Sequence, residues 1–313
     1  MTYDLIIIGV GPAGVAAAVY ASRQKLNILI LSKDIGGQVA KKAVDIENYP
    51  GFEKISGPEL VDLYQKQLKA NNLSVTYDEV VGIEKKDGKF FVLTAFKKTY
   101  ESISVIIASG AESRKLFVPG EEEFAGKGVS YCSLCDGPVF KNKIVAVVGG
   151  GNNGFESALF LSNYVPKVYI LEYGEKINAD AENQELVAQH SNIEIITNAK
   201  VMKIEGKIFV NSVWYQDVKS GEEKKLEVSG VFVEIGYNPS TSFLGDLVEL
   251  NDKKEIIFDP KTLETKTSGL FSAGDCNVSK YKQIVMASGQ GAIAALSAYE
   301  YIKKQHVIKN HYE

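Results

Sequence analysis

Long apolar runs are missing from this 313-residue chain. No stretch approaches about 18 uninterrupted apolar residues, which argues against a membrane-spanning helix. The N-terminal run, MTYDLIIIGVGPAG, has no basic segment before it and is soon cut by glycines, so it reads as a strand and not a secretory signal. The expected location is cytoplasmic. Cysteine is scarce: three residues do not make a structural disulfide framework, although two of them sit together as Cys132-Ser-Leu-Cys135. Basic excess is also lacking. With 35 Lys+Arg against 39 Asp+Glu the net charge is −4, which argues against nucleic acid or an anionic membrane as partner; Lys97-Lys98 and Lys303-Lys304 read as solvated charge. What is present, 45% hydrophobic and 24% charged residues, suits a globular protein long enough for two cores.

Two stretches share one pattern of β-branched strand, glycine turn and small-residue helix: YDLIIIGVGPAGVAAAVYAS and KIVAVVGGGNNGFESALFLS. Gly9-x-Gly11-x-x-Gly14 and Gly149-x-Gly151-x-x-Gly154 each follow a predicted strand and open a predicted helix. The first glycine makes the tight turn, the second lets a pyrophosphate reach the backbone, and the third lets helix and strand pack closely. Unpaired amides at the helix start then face the phosphates. The pattern predicts an α/β protein with two Rossmann-like, three-layer nucleotide-binding domains.

Between the two motifs, antiparallel strands lead to a last parallel strand, Val105 to Ala108. TSGLFSAGDCNV predicts another strand and turn before a small-residue helix, Ile284 to Tyr301. The first domain is therefore expected to be discontinuous, residues 1–112 plus 237–313, with residues 113–236 inserted. The crossings fall at Ala111-Glu112-Ser113 and Gly236-Tyr237-Asn238-Pro239, where glycine, proline and polar residues mark turns.

SYCSLCDGPVF lies just upstream of the second glycine motif. A zinc half-site needs two more ligands, and Cys276 and three scattered histidines are poor candidates, so no metal is expected. Two packed structural cysteines are a further reading. The chemical one is a dithiol/disulfide whose short turn brings both sulfurs within bonding distance, beside an Asp136 able to move a proton. A disulfide does not take up a hydride or single electrons at a useful rate unaided, whereas a flavin handles both, so the two belong together.

With these residues in view the chain resembles the low-molecular-weight, bacterial-type thioredoxin reductases over nearly its whole length. The ordered motifs are GVGPAG, Gly36-Gly37-Gln38, ENYPG from Glu47, IIASGA from Ile106, CSLCDG, GGGNNG, FVEIGYNP, GLFSAGD and KYKQIVMASGQG. The resemblance implies FAD on the loop of Gly9, Gly11, Pro12, Ala13 and Gly14, with Gly37, Gln38 and Asn48 near the flavin. Ala108, Gly110, Gly274 and Asp275 belong to the same site, Asp275 holding the ribityl-pyrophosphate region. Gln283 and the helix start at Ile284 look like the flavin-ring contact, and Lys282 stands where the family has arginine. Cys135 looks like the thiol facing the flavin, Cys132 like the one exchanging with thioredoxin, and Asp136 like the acid protonating the leaving thiolate. A homodimer and a domain rotation are also implied.

One place departs from the family. After its second strand the inserted domain of the family carries a histidine-arginine-arginine run and a further arginine, guanidinium forks for the 2′-phosphate of NADPH. This chain has Glu172-Tyr173-Gly174-Glu175-Lys176, and no arginine in Tyr169 to Asp180. A 2′-phosphate there meets like charge, at roughly a kcal/mol or more per close pair. Two donors remain. Glu172, about twenty residues past the motif, suits the ribose hydroxyls of NADH. Alternatively the sequence is similar to the nucleotide-independent branch in which reduced ferredoxin feeds FAD, and Phe155, larger than the family's usual residue beside a nucleotide, points that way. Ferredoxin is the expected donor, with NADH the alternative. A flavin dithiol oxidase using oxygen and a non-enzymatic redox sensor are the competing functions. His311 or Tyr312 of the tail is a candidate to stack on the flavin.

Overall fold

The structure is a computed structural model describing residues 2–41 and 45–312, of which 41, 45 and 306–312 are described by backbone alone. It divides into two compact units, Met1–Glu112 with Asn238–Glu313, and Ser113–Tyr237. The chain passes from one unit to the other at the short strands Ala111–Ser113 and Tyr237–Pro239.

In the first unit the run Leu5 to Ile8 is too apolar and β-branched for anything but a central strand. Thr2–Ile8 lies between Ile28–Ser32 and Thr99–Ile107, parallel to both. Val75–Tyr77 and Leu270–Ser272 extend the parallel sheet on either side. The strand Thr99–Ile107 is shared: its first half pairs antiparallel with Lys89–Thr94 and its second half parallel with Leu270–Ser272. Period-two alternation sends Leu5 and Ile7 to one face and Ile6 and Ile8 to the other. The first face is covered by the helices Pro12–Arg23 and Ile284–Tyr312 through Ala17, Ala18, Ala21, Ala294, Ala295 and Ala298. Small side chains let the two helices approach closely, and a Cβ on Gly291 would overlap the carbonyl oxygen of Ala13. The second face packs on Phe90, Val92, Leu244 and Ile256. The predicted C-terminal helix starts at Ile284 but continues past Tyr301 to Tyr312.

The second unit repeats the plan. Five parallel strands run in the order Val129–Ser130, Gly230–Val233, Ile144–Val148, Lys167–Leu171, Ile193–Ile196. The helix Asn152–Ser162 covers one face through Phe155, Ala158 and Leu161. The antiparallel sheet of Ala199–Gly206, Val210–Asp217 and Glu223–Glu227 covers the other through Val201, Ile204 and Val213. Both units are three-layered, the α/β architecture expected from the repeat. Among the described residues no helix is long and apolar enough to cross a membrane.

Candidate functional site

The loop after Thr2–Ile8 is shaped by its glycines. Gly9 has φ +99°, and a Cβ there would overlap the carbonyl oxygen of Ala108. A Cβ on Gly14 would overlap the carbonyl oxygen of Gly9, whereas one on Gly11 meets nothing within 4 Å. The turn and the packing therefore demand glycine at the first and third positions, and the second presents bare backbone to open space. Pro12 opens the helix at a position whose amide has no intrahelical partner in any case.

Three further segments close on this loop. Gly36 N–H donates to the Val10 carbonyl at 2.7 Å, which sets Gly37 (φ +53°) against Gly11 and lets the helix Gln38–Lys41 begin at Gln38. Ala108, Ser109 and Gly110 leave the carboxyl end of Thr99–Ile107, with Gly110 at φ +71°. Gly274 (φ +83°) follows Leu270–Ser272, lies against Ala13 and donates its N–H to Gln290 at 2.7 Å; Asp275 is next in the chain. Asn48 donates to the side chain of Gln283 at 3.2 Å, so two distant residues chosen from the sequence meet just before the helix that starts at Ile284. Lys282 is largely enclosed, its ammonium 3.0 Å from Glu255 and bonded to the Asn277 carbonyl. Its charge is thus matched by an acid from another loop of the same unit. The side chains of His311 and Tyr312 lie outside the described residues.

The second loop reproduces the first. Gly149 has φ +125°, a Cβ on Gly154 would overlap the carbonyl oxygen of Gly149, and Gly151 faces open space. The residues beyond the next strand are specific to this unit. The Glu172 carboxylate folds back onto the loop, accepting the Gly150 N–H at 2.5 Å and the Gly174 N–H at 2.7 Å. Asn178 and Ala179 N–H donate to the Gly150 carbonyl, and Asn152 is bonded to Asp180 through both amide atoms. Glu175 pairs with Lys219 at 2.5 Å, and this hydrogen bond holds its carboxyl below the usual range. Phe155 corrects an expectation. It is 0% exposed and packs beneath the helix with Val147, Ile170 and Phe232, so it offers no surface to a nucleotide and says nothing about the donor.

Cys132 and Cys135 form a disulfide with Cα atoms 5.3 Å apart. Cys132 caps the short helix Ser133–Asp136, its sulfur accepting the Cys135 N–H at 3.2 Å; the same N–H is placed to steady negative charge on that sulfur once the bond is cleaved. Asp136 is buried in the same turn, with its carboxylate bonded to the Ser130 hydroxyl. Cys276 is buried in the first unit, where burial pushes its thiol pKa up. Among the described residues no group of three or more His, Cys, Asp and Glu side chains is placed to hold a metal.

A buried polar string behind the disulfide was not expected from the sequence. Ser133 lies 2.8 Å from Ser157, and Ser157 donates to Glu234 at 2.9 Å. The available signal was an acid directly following the apolar strand Gly230–Val233, where the half-turn after a buried strand has little water.

A fold of two dinucleotide-type units, one bearing a disulfide between cysteines three residues apart, defines a disulfide oxidoreductase architecture. The chain belongs to the pyridine nucleotide-disulphide oxidoreductase family, whose model matches residues 3–291. It is 42% identical over 305 residues to an alkyl hydroperoxide reductase subunit of Staphylococcus aureus, an alignment covering 96% of this chain and 59% of that protein. The chain thus spans about three fifths of the length of that relative. Thioredoxin reductase from Streptococcus pyogenes superposes with a TM-score of 0.91 at 37% identity, covering 97% of this chain and 99% of that one. A ferredoxin-flavin thioredoxin reductase from Clostridium acetobutylicum superposes with a TM-score of 0.55 at 32% identity, covering 98% and 99%.

Proposed function

We propose that the chain is an FAD-dependent disulfide reductase that draws electrons from NADH and passes them through Cys132 and Cys135 to a thioredoxin-type partner. The observation that carries the donor is the Glu172 carboxylate bonded to two amides of the second glycine loop. Each of its oxygens accepts one of these N–H groups, and the lone pairs that remain on a carboxylate suit ribose hydroxyls. The same charge repels a 2′-phosphate. This reading is preferred over the reduced ferredoxin expected from the sequence because the loop is complete, Gly151 is open, and Phe155 does not obstruct it.

Ferredoxin remains the second reading, favoured by the missing guanidinium groups and by the similarity to the Clostridium acetobutylicum enzyme. Both readings share the first unit, whose bare Gly11 and flanking Gly37 and Gly274 suit a pyrophosphate, with Asn48, Gln283 and Asp275 as further candidate contacts. A bound flavin supplies chemistry that accepts electrons singly or in pairs.

At the dithiol, Cys132 as thiolate attacks one sulfur of the partner disulfide, and the other partner sulfur leaves as a thiolate that takes a proton. Cys135, deprotonated with Asp136 as the proton carrier, then attacks the Cys132 sulfur, releasing the second partner thiol and restoring the disulfide. Leu134 and Val139, 44% and 62% exposed, give the pair an apolar rim suited to a protein substrate. A homodimer in the cytoplasm completes the proposal. Anaerobic mixing of the purified flavoprotein with NADH, NADPH and reduced ferredoxin in turn, watching flavin absorbance, tests it. NADH is expected to bleach the flavin fast and NADPH slowly; bleaching by ferredoxin alone would replace NADH as donor.

A further inference from the structure

Among the described side chains Phe117 is the most exposed large apolar one, at 86%, and its backbone φ is +57°. A bulky residue rarely adopts this left-handed conformation, in which its Cβ crowds the backbone, whereas glycine adopts it freely. Exposure and backbone both count against stability at this position. Such a residue persists only where the surrounding structure enforces it, and the places where that happens cluster at functional sites.

The surroundings do enforce it. Leu116 and Val118, on either side of Phe117, pack against the core of the second unit, as does Tyr131. The Leu116 and Phe117 N–H groups donate to the two oxygens of the Glu121 carboxyl group at 2.8 and 2.7 Å. Glu121 is 1% exposed and also accepts the Tyr131 hydroxyl at 2.9 Å. Further along, the Pro119 carbonyl accepts the Ile204 N–H at 2.9 Å, and a Cβ on Gly120 would overlap the Ile204 carbonyl oxygen. The loop is held from several sides, and Phe117 is displayed from a fixed support.

Tyr131 immediately precedes Cys132, so one buried carboxyl group bonds both the amide of Phe117 and the side chain of the residue beside the exchanging sulfur. Leu134 and Val139, also exposed, follow that sulfur in the chain. A protein that brings its disulfide to Cys132 lays a surface across this turn; a small disulfide does not.

We propose that Phe117 is a docking residue for the disulfide-bearing protein substrate, a thioredoxin-type partner, and that Glu121 and Tyr131 position it. The inference rests on the reading that Cys132 exchanges with such a partner. An aromatic anchor on a rigid support loses little freedom on binding, and anchors of this kind carry much of the energy of protein contacts. The matching feature on the partner is an apolar patch beside its own disulfide.

The test uses the full chain with its flavin, reduced by dithiothreitol and freed of it anaerobically. It is mixed with oxidised bacterial thioredoxin at graded concentrations and, separately, with oxidised glutathione, and the loss of free thiols is read by alkylation and mass. Phe117→Ala and Phe117→Gly are expected to lower the second-order rate with thioredoxin about tenfold and to leave the rate with glutathione unchanged. Phe117→Gly is also expected to keep the melting temperature at or above wild type, since glycine accepts the left-handed backbone, so a slower exchange is not traced to a damaged fold. Tyr131→Phe removes the hydroxyl that ties the loop to the turn and is expected to slow the thioredoxin reaction by less. Thioredoxin rates equal to wild type in both Phe117 variants overturn the inference and leave the exchange itself standing. A fall with both disulfides also overturns it, because the effect then lies at the sulfurs. A wild type that reacts with glutathione but not with thioredoxin overturns the reading beneath it, which is a distinguishable failure.

Discussion

The glycine loop at residues 9–14 and the one at 149–154 agree to the level of single atoms. In each, a Cβ on the third glycine would overlap the carbonyl oxygen of the first, and the second glycine looks onto open space. Their neighbours differ. Around the first loop gather Gly37, Ala108 and Gly274, and the strand after its helix ends in Ser32, whose hydroxyl donates to the Asp34 carbonyl. Lys33 beyond it faces Glu79 across 3.8 Å. Around the second, Glu172 turns back to bind the loop itself and a disulfide turn is tied to the helix the loop opens. The glycines state that a dinucleotide backbone can approach; which dinucleotide is decided by side chains that the motif does not contain.

The largest break in the comparison comes at the cysteines, which only the second unit carries as a pair. Cys132→Ser is expected to abolish thioredoxin reduction while leaving flavin content and absorbance at wild-type levels, because the candidate cofactor residues belong to the other unit. Cys135→Ser is expected to accumulate a mixed disulfide through Cys132, seen as a covalent adduct on non-reducing gels. No adduct would reassign the roles of the two sulfurs.

Next come the matched glycines. Gly14→Ala and Gly154→Ala each force a methyl into a backbone carbonyl that has nowhere to move, at a cost of about 3 kcal/mol. The first should lose flavin along with stability. The second should melt early but keep its flavin until it unfolds, as read by calorimetry and flavin fluorescence together. Equal flavin loss in both would mean that the loops do not serve separate units as supposed.

The layered α/β fold was legible because it rests on apolar periodicity and glycine spacing, which the chain writes locally. Ile6 and Ile7 had to be buried on opposite faces of a sheet, and so they are. The candidate site was legible where a motif carries its own chemistry, as at Cys132, Cys135 and Asp136. Phe155 was misread because helix phase, and not chain proximity to the glycines, decides whether a side chain meets ligand or core. Glu234 and Ser157 went unnoticed because they are 77 residues apart and meet only once strand and helix are packed. The Asn48–Gln283 contact is of the same kind.

A smaller effect sharpens the donor question. Glu172→Gln keeps one acceptor oxygen but removes the charge and offers an amide where two N–H groups already point. NADH affinity is expected to fall about tenfold, the low end of the about 1.5–3 kcal/mol for a hydrogen bond to a charged group. NADPH should gain relative to NADH because the like-charge repulsion is gone. Stopped-flow flavin bleaching against both nucleotides reads this ratio, and an unchanged ratio would remove Glu172 from the binding site and leave ferredoxin as the better donor.

The smallest effect is at Lys219, and it separates Glu172 from the acid three residues on. Glu175 is exposed and its hydrogen bond to Lys219 lowers its pKa. A carboxyl with a depressed folded-state pKa stabilises the fold above its ordinary range, and that contribution disappears as pH falls through the lowered value. At neutral pH the pair is formed, but surface pairs of this kind contribute little and salt screens them. Lys219→Ala is therefore expected to leave the melting temperature and the NADH-to-NADPH ratio unchanged, and to remove the small salt-sensitive part of acid stability. A change in nucleotide preference would mean that Glu175, released from its partner, also reaches the ribose, and the discrimination assigned to Glu172 would then be shared.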